Sequence, residues 1–401
     1  MSLTLEPGPA GSPDPVLADA GEALLAKVRA LAPSLAARAP EMEQARRMPR
    51  DIVEQLRALG VFRMYAPKSH GGLELDLPVT LQILSELARA EGSVGWIAMI
   101  GSGSAPFFAR LPRPTYDAIY ADGPDVIIAG SAAPMGQAVK VPGGYRVTGR
   151  WPFASGCEHA DWIFSGVVVV REGAPADAPP QIRHIALPAS AWTIEDTWRV
   201  TGLKGTGSCH VSLNDLFVPA GHVFDFEGPS CLPGPLYQAP LSLLPLMHCA
   251  PAVGIAEGAI DDLVALADTG KQQMGVRSPM RDDPLFQAEV GRIQAEVRAA
   301  RAMADAQAQS HWRKALAGEP IDFQFWIESQ QTAVWVTQTC VRAVDACFAL
   351  GGGSALYDDS PLQRRMRDLH AAAQHRAVQP RHYLLAGAVR LGHPARHPMR
   401  G

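Results

Sequence analysis

The sequence predicts a multidomain α+β fold: an N-terminal helical domain, a central antiparallel β barrel or sandwich, and a C-terminal four-helix bundle. Three observations carry that expectation. Apolar residues recur at helical spacing up to about residue 111, short β-rich runs begin near Pro124, and four long helical segments follow a proline-rich connector at 228–245. A chain of 401 residues has room for two or three domains, and 47% hydrophobic against 19% charged residues supplies a large core. The divisions expected are a disordered N-terminus at 1–16, a helical domain at 17–123, a β domain at 124–235 and the bundle at 236–401.

Residues 1–16 are dense in Pro, Gly and Asp, which suits an unstructured terminus. Leu24, Leu25, Val28 and Leu31 then recur at helix spacing, as do Ile52, Leu56 and Leu59 in a second helix that Gly60 ends. Pro67 and Gly71-Gly72 mark a loop, a third helix covers 78–90, and the apolar stretch 92–108 reads as a buried helix. Strands are expected at 126–129, 137–141, 145–148, 162–170, 184–186 and 210–217, set apart by Gly-Gly, Pro and Asp turns. Helices follow at 247–267, 284–317, 322–350 and from 361 to the region of Val389. In the second of these, Val290, Ile293, Val297, Ala300 and Met303 form one stripe, as a bundle helix requires. No internal repeat is present.

A net charge of −4 and a pI near 6.3 give no field that would hold nucleic acid or an anionic membrane. The six cysteines show neither CxxC nor zinc-ligand spacing, so no metal is expected, and Cys340 and Cys347 read as buried free thiols. The first residues carry acid and proline where a signal peptide needs basic and then apolar residues, and no uninterrupted apolar run reaches ~18 residues. A cytoplasmic small-molecule protein is the expectation. No G-x-G-x-x-G follows a strand, so nicotinamide is expected on a partner rather than on this chain.

Five segments in register bring a family into view: LRALGVFRMYAPKSHGGLELDL (56–77), TGRWPFASGCEHADWIFSGVVV (148–169), TGLKGTGSCHVSLNDLFVPAGHVF (201–224), PLFQAEVGRIQAEVRAAR (284–301) and LGGGSALYDDSPLQRRMRDLHAA (350–372). In order and spacing they resemble the acyl-CoA dehydrogenases, flavoproteins with the helical, β and bundle arrangement expected above. Two departures bear on the reaction. The Thr-Glu-Pro segment of true dehydrogenases is replaced by AGSAAPMGQA (129–138), and neither usual site of the carboxylate base, 375–389 or 243–254, contains Asp or Glu. The chain is more similar to the oxygenase components of two-component flavin monooxygenases, in WPFASG, in the GTGS turn and in RDLHAAAQH (367–375). A histidine that many of those carry after the Gly-Trp of the first domain is missing: Ser102 and Ser104 stand there.

That resemblance implies a homotetramer that receives reduced flavin, FMN or FAD, from a separate NAD(P)H:flavin reductase. It would act through a C4a-hydroperoxyflavin on a small aromatic substrate. It implies that Ser155, with Trp151, Phe153 and Gly156, lies at the flavin N5 and O4 edge, against the plainer reading of a strand-end serine in a turn. It implies that His375 is the general base, since an imidazole near its ordinary pKa of ~6.5 suits proton removal at neutral pH. His370 is a second catalytic candidate on another face of the same expected helix, and His248 a third histidine at the bundle entrance. Gly352, Gly353 and Ser354 are either a phosphate cradle or a helix stop, and Lys204 and Thr206 either contact phosphate or shape their turn. Arg277, Phe286 and Gln287 match positions that reach a neighbouring subunit's flavin, or are ordinary helix-start residues. Trp96 and Phe107, with His248, are candidates for the substrate pocket, or for core. Two other functions stay open: an acyl-CoA dehydrogenase or oxidase with a displaced base, and a catalytically silent member that binds a ligand or partner.

Overall fold

The computed structural model describes residues 15–393 apart from 172, 174, 176, 177 and 273–277. The disorder expected over 1–16 falls outside the described residues except at its last two. Helices α1 (Pro15–Ala37), α2 (Ala39–Ala45), α3 (Arg50–Leu59), α4 (Leu77–Ala90), α5 (Gly92–Gly103), α6 (Ala105–Phe108) and α7 (Arg113–Ile119) open the chain. Gly60 ends α3 in the left-handed region, φ 93°, and its amide donates to the carbonyls of Arg57 and Leu56. The carboxylate of Glu91 separates α4 from α5 and caps α5 by accepting the Val94 amide at 2.7 Å. Apolar on nearly every side, α5 is a core helix.

The strands β1 (Ile128–Val141), β2 (Gly144–Trp151), β3 (Trp162–Val170), β4 (Ile182–Pro188), β5 (Thr193–Glu195), β6 (His210–Pro219) and β7 (Val223–Phe224) make one seven-stranded sheet, ordered β5-β6-β2-β1-β3-β4-β7. The two expected runs at 126–129 and 137–141 belong to a single long strand, β1, whose register shifts around Pro134 and Gly136. The expected antiparallel pattern holds everywhere but at β1–β3, which run parallel, so the sheet is mixed. The cause is topological. Gly143, at φ 78°, turns β2 back beside β1; the chain then crosses to β1's other edge over 152–161 instead of continuing beside β2. A strand reached that way runs with β1, and the crossing segment carries Phe153, Ser155 and Gly156. Side chains alternate between faces: Ile163 and Val167 join Trp151 in the sheet's own core, while Phe164 joins the helical core.

Helices α8 (Pro240–Asp268), α9 (Pro284–Leu316), α10 (Phe323–Gly351) and α11 (Pro361–Ala372) pack on one another, with α12 (His382–Arg390) against α10. Ile293, Val297 and Ala300 are buried along α9, and Met303 at the end of the stripe is 38% exposed. By length and composition α8 and residues 323–356 are apolar enough to cross a membrane, but 83% of the apolar window of α8 is buried between α4 and the other bundle helices, as in a core helix. The last expected helix is broken in two. The helix stops at Ala372 and resumes at His382 after a single 3-10 turn, Arg376–Val378; within the break Pro380, which has no amide to donate, holds Gln379 extended. His375 lies in that break, with extended backbone (φ −63°, ψ 138°), and not on the helix where the sequence places it.

Candidate active site

Four parts of the chain converge on one cluster: α5, the crossing segment, α8 and the break after α11. The indole N–H of Trp96, on α5, donates to the Ser155 hydroxyl at 3.1 Å, and that hydroxyl lies 2.6 Å from the hydroxyl of Ser208. The same indole meets the rings of His248 and His375 edge-on, at centroid distances of 5.4 and 5.8 Å. Those two imidazoles are stacked on each other at 4.0 Å, 19° from parallel. No Asp or Glu belongs to the cluster.

Hydrogen bonds fix what each imidazole offers. His248 donates Nδ1–H to the Leu244 carbonyl at 2.7 Å, one turn back along α8, which leaves Nε2 a bare lone pair; Nε2 is buried and has no partner among the described residues. His375 does the reverse. Its Nδ1 accepts the Ala377 amide at 3.2 Å and caps the 3-10 turn, so the proton of the neutral ring sits on Nε2. Burial pushes His248 down to about 4 against the pull of its bond to Leu244. Burial, then the neighbouring His248 and Arg376, push His375 well below the ordinary histidine value. Both rings are therefore neutral at pH 7, and the pair presents one N–H and one lone pair. Against the general base expected at His375, this arrangement holds the Nδ1 lone pair by backbone and leaves Nε2 to donate.

A second layer supports the cluster. Buried Asp368 accepts the Leu203 amide at 2.6 Å and holds that residue in the left-handed region, φ 51°. The Leu203 carbonyl accepts the Thr206 hydroxyl at 2.7 Å, and Thr206 lies 2.7 Å from Ser208. Burial raises the carboxyls of Asp368 and Glu91, and the charge of Asp368 raises Glu91 further. Arg365 ties α11 down by pairing with Asp262 at 3.0 Å while donating to the Ala88 and Ala90 carbonyls, the open end of α4. Two of these residues, Ser208 and Asp368, sequence reasoning did not single out. The crowding of Thr201, Thr206 and Ser208 in one short turn is a signal that could have found Ser208, and Asp368 stands in the RDLHAAAQH segment beside the candidate histidines.

The other expected site residues are distributed as follows. Trp151 is fully buried in the sheet, its indole donating to the Gly166 carbonyl at 2.7 Å. It fills the space left by two glycines, since a Cβ on Gly136 would lie 2.1 Å from its ring. It is part of the sheet's core. Phe153 is 66% exposed at φ 67°, unusual for a bulky residue, with Trp198 edge-on beside it. The Gly156 amide is committed to the Thr206 carbonyl at 3.0 Å. Lys204 is paired with Glu43 at 3.1 Å, and Thr206 is buried within the turn, so neither is free for a phosphate in this chain. Phe286 is buried in the helical core, Gln287 donates to the Arg281 carbonyl at 2.8 Å, and Arg277 lies outside the described residues.

Gly352 (φ 55°, ψ −145°) and Gly353 are exposed at the end of α10, with open space where a side chain would stand, and Ser354 follows in the same 3-10 turn. Phe107 is buried and packs on Phe226 at 4.8 Å. His370 points away from the cluster: it is exposed on α11 and bonds Asp345 at 2.8 Å. Ser102 and Ser104 turn their hydroxyls back onto the Ala98 and Ile100 carbonyls of their own helix. Gly103 abuts α8, where a Cβ would lie 2.7 Å from Met247.

A cavity of about 740 Å³ opens at the start of α8, between Arg110, Phe226, Gln238, Ser242, Asp322 and Trp326. No member of the cluster lines it. Among the described residues no group of three or more His, Cys, Asp or Glu is placed to hold a metal ion.

Comparison with known proteins follows the same outline. The family model of the acyl-CoA dehydrogenase N-terminal domain matches residues 19–110, and that of the C-terminal domain matches 246–380. The chain is 32% identical over 378 residues to the HsaA oxygenase subunit of a flavin-dependent monooxygenase from Rhodococcus jostii (strain RHA1), covering 92% of this chain and 98% of that one. It is 31% identical to the oxygenase component of an FADH(2)-dependent resorcinol hydroxylase from Rhizobium sp. (strain MTP-10005), over 91% of this chain and 92% of the other. Among solved structures it is similar to XiaF from Streptomyces sp. in complex with FADH2 and glycerol, with a TM-score of 0.89, 26% identity, and coverage of 96% and 98%.

Proposed function

The chain belongs to the acyl-CoA dehydrogenase family, among its flavin-dependent monooxygenases, and from that premise we propose that it is the oxygenase component of a two-component system. It takes reduced flavin, FMN or alternatively FAD, from a separate NAD(P)H:flavin reductase and uses O₂ to oxygenate a small aromatic substrate that carries a hydroxyl or ring N–H.

The observation that carries this reading is the cluster of Trp96, Ser155, His248 and His375. A dehydrogenase of this fold needs a base strong enough to remove a carbon-bound proton. The cluster has no carboxylate, and burial keeps His248, with a pKa of about 4, too weak for that task. What it offers is a hydroxyl, one N–H, one lone pair and an aromatic wall. These fit the edge of a flavin ring, whose N5, O4 and N3 present donors and acceptors beside flat apolar faces. When bound, the flavin would supply the activation of O₂. The residues would bind and orient: Ser155 at the flavin edge, His375 Nε2–H as donor, and the orphan lone pair of His248 as acceptor for the substrate's hydroxyl or N–H. Of the large apolar side chains left half or more exposed, Leu285, Leu316, Leu356, Tyr357, Leu384 and Leu391 lie in the bundle half of the chain, against Met135 and Phe153 in the sheet, which supports a homotetramer built mainly through the bundle half.

The test supplies NADH, FMN and isotopically heavy O₂ to the purified chain, with and without an unrelated flavin reductase, over a panel of phenols and indoles. Labelled oxygen should enter product only when the reductase is present. NADH oxidation by the chain alone, or product without label, contradicts the proposal.

A further inference from the structure

We propose that Thr206 and Ser208 set which redox state of the flavin this chain prefers, by fixing Ser155 as an acceptor toward its ligand. The inference rests on the flavin reading above and goes beyond it in naming residues that do not touch the flavin.

The hydroxyls form an ordered row. At one end the Trp96 indole N–H can only donate, and it donates to Ser155 Oγ at 3.1 Å. At the other end the Leu203 carbonyl can only accept, and it takes the single hydroxyl proton of Thr206 at 2.7 Å. Thr206, its proton spent, must accept from Ser208 across their 2.7 Å contact. Ser208 is then left only a lone pair for Ser155, which must donate to it at 2.6 Å. Water does not compete, because Thr206 and Ser208 are 1% and 3% exposed. The far end is anchored in turn, since Asp368 holds the Leu203 amide at 2.6 Å. The Leu203 carbonyl also accepts the Trp198 indole N–H at 3.0 Å and the Thr206 amide at 3.1 Å, so it has no need of a further donor. Reversing the row would nonetheless set a Thr206 lone pair against that carbonyl oxygen at 2.7 Å, which is repulsive.

Ser155, 7% exposed, therefore has one lone pair and no proton left for a ligand. Reduced flavin carries a hydrogen on N5 and can donate to that lone pair. Oxidised flavin has a bare nitrogen there, and two lone pairs would face each other. Thr206 and Ser208 are thus positioning residues: they polarise Ser155 so that reduced flavin is held and oxidised flavin is released.

The experiment is an anaerobic titration of the whole chain with oxidised and with photoreduced FMN, comparing the parent with Thr206→Val, Ser208→Ala and Ser208→Thr. The parent should bind reduced FMN more tightly. Thr206→Val keeps the side-chain shape, and Ser208→Ala removes the acceptor; each lets the Ser155 proton turn toward N5. The ratio of oxidised to reduced dissociation constants should then fall about tenfold, mostly through tighter oxidised binding. Ser208→Thr, which keeps the hydroxyl, should retain the parent ratio. Flavin binding with an unchanged ratio in both Thr206→Val and Ser208→Ala overturns the proposal and leaves the flavin site standing. Equal affinity of the parent for both forms overturns it as well. Failure of the parent to bind either form removes the flavin reading itself.

Discussion

At His375 the decisive atom is Nδ1, which the Ala377 amide occupies. Glutamine places an amide N–H near where a histidine carries Nε2–H. If His375 acts as a donor, His375→Gln should keep oxygen transfer per flavin within about tenfold of the parent, while His375→Ala falls further. If it acts as a base, both variants should fall by about 10²–10⁴-fold. His248 makes a different prediction. Its imidazole is held at about 4 in the folded chain against ~6.5 when unfolded. Above about pH 6.5 it is neutral in both states and adds no pH dependence. Between about 6.5 and 4 the unfolded chain takes up a proton that the folded chain refuses, so the parent should lose stability relative to His248→Gln as pH falls through that window. Urea melts across the window would show it, and a constant offset between the two chains would contradict the burial of His248. The residue types at 155, 248 and 375 were legible in the sequence. Which nitrogen of each ring carries the proton was not, because that depends on the Leu244 carbonyl and the Ala377 amide once folded.

Two connecting segments do more to place the site than any regular element. The crossing over 152–161 exists because β3 pairs with β1 and not with β2, and the break between α11 and α12 carries His375 at its start and Pro380 at its end. Strand β3 and the long helices α9 and α10 could be read from apolar periodicity almost to the residue. The parallel pairing could not, since both sheet edges of β1 accept an apolar strand equally well. The break had a visible signal, proline at 380, yet an apolar stripe from 361 onward masked it. The turn at 201–207 is pressed against α11, and a Cβ on Gly202 would lie 2.0 Å from the Arg367 carbonyl oxygen. Backbone cannot yield that far, so Gly202→Ala should cost about 1–3 kcal/mol and push the turn off α11. A lowered thermal midpoint together with weakened flavin binding is the expected pair of results. An unchanged midpoint would mean that this contact is not closely packed.

At the scale of the molecule the helical domain and the bundle share one continuous core while the sheet keeps its own. The cluster lies where α5, α8 and the crossing segment meet between them. The apolar residues exposed along the bundle half predict a tetramer, and light scattering at micromolar concentration checks it. A monomer would contradict that assembly. The order of domains was readable from apolar periodicity and the β-rich runs between, whereas assembly was not, because the exposure of Leu356 and Leu384 is known only after folding. Oxygenation by a bound reduced flavin is tested most directly by rapid mixing. The anaerobic chain, loaded with reduced FMN or FAD, is mixed with O₂ and its absorbance followed. The expected result is a transient spectrum, neither reduced nor oxidised, that outlives the oxidation of free flavin. Absence of any such transient, in a chain that instead emerges from purification with tightly held oxidised FAD, would contradict it.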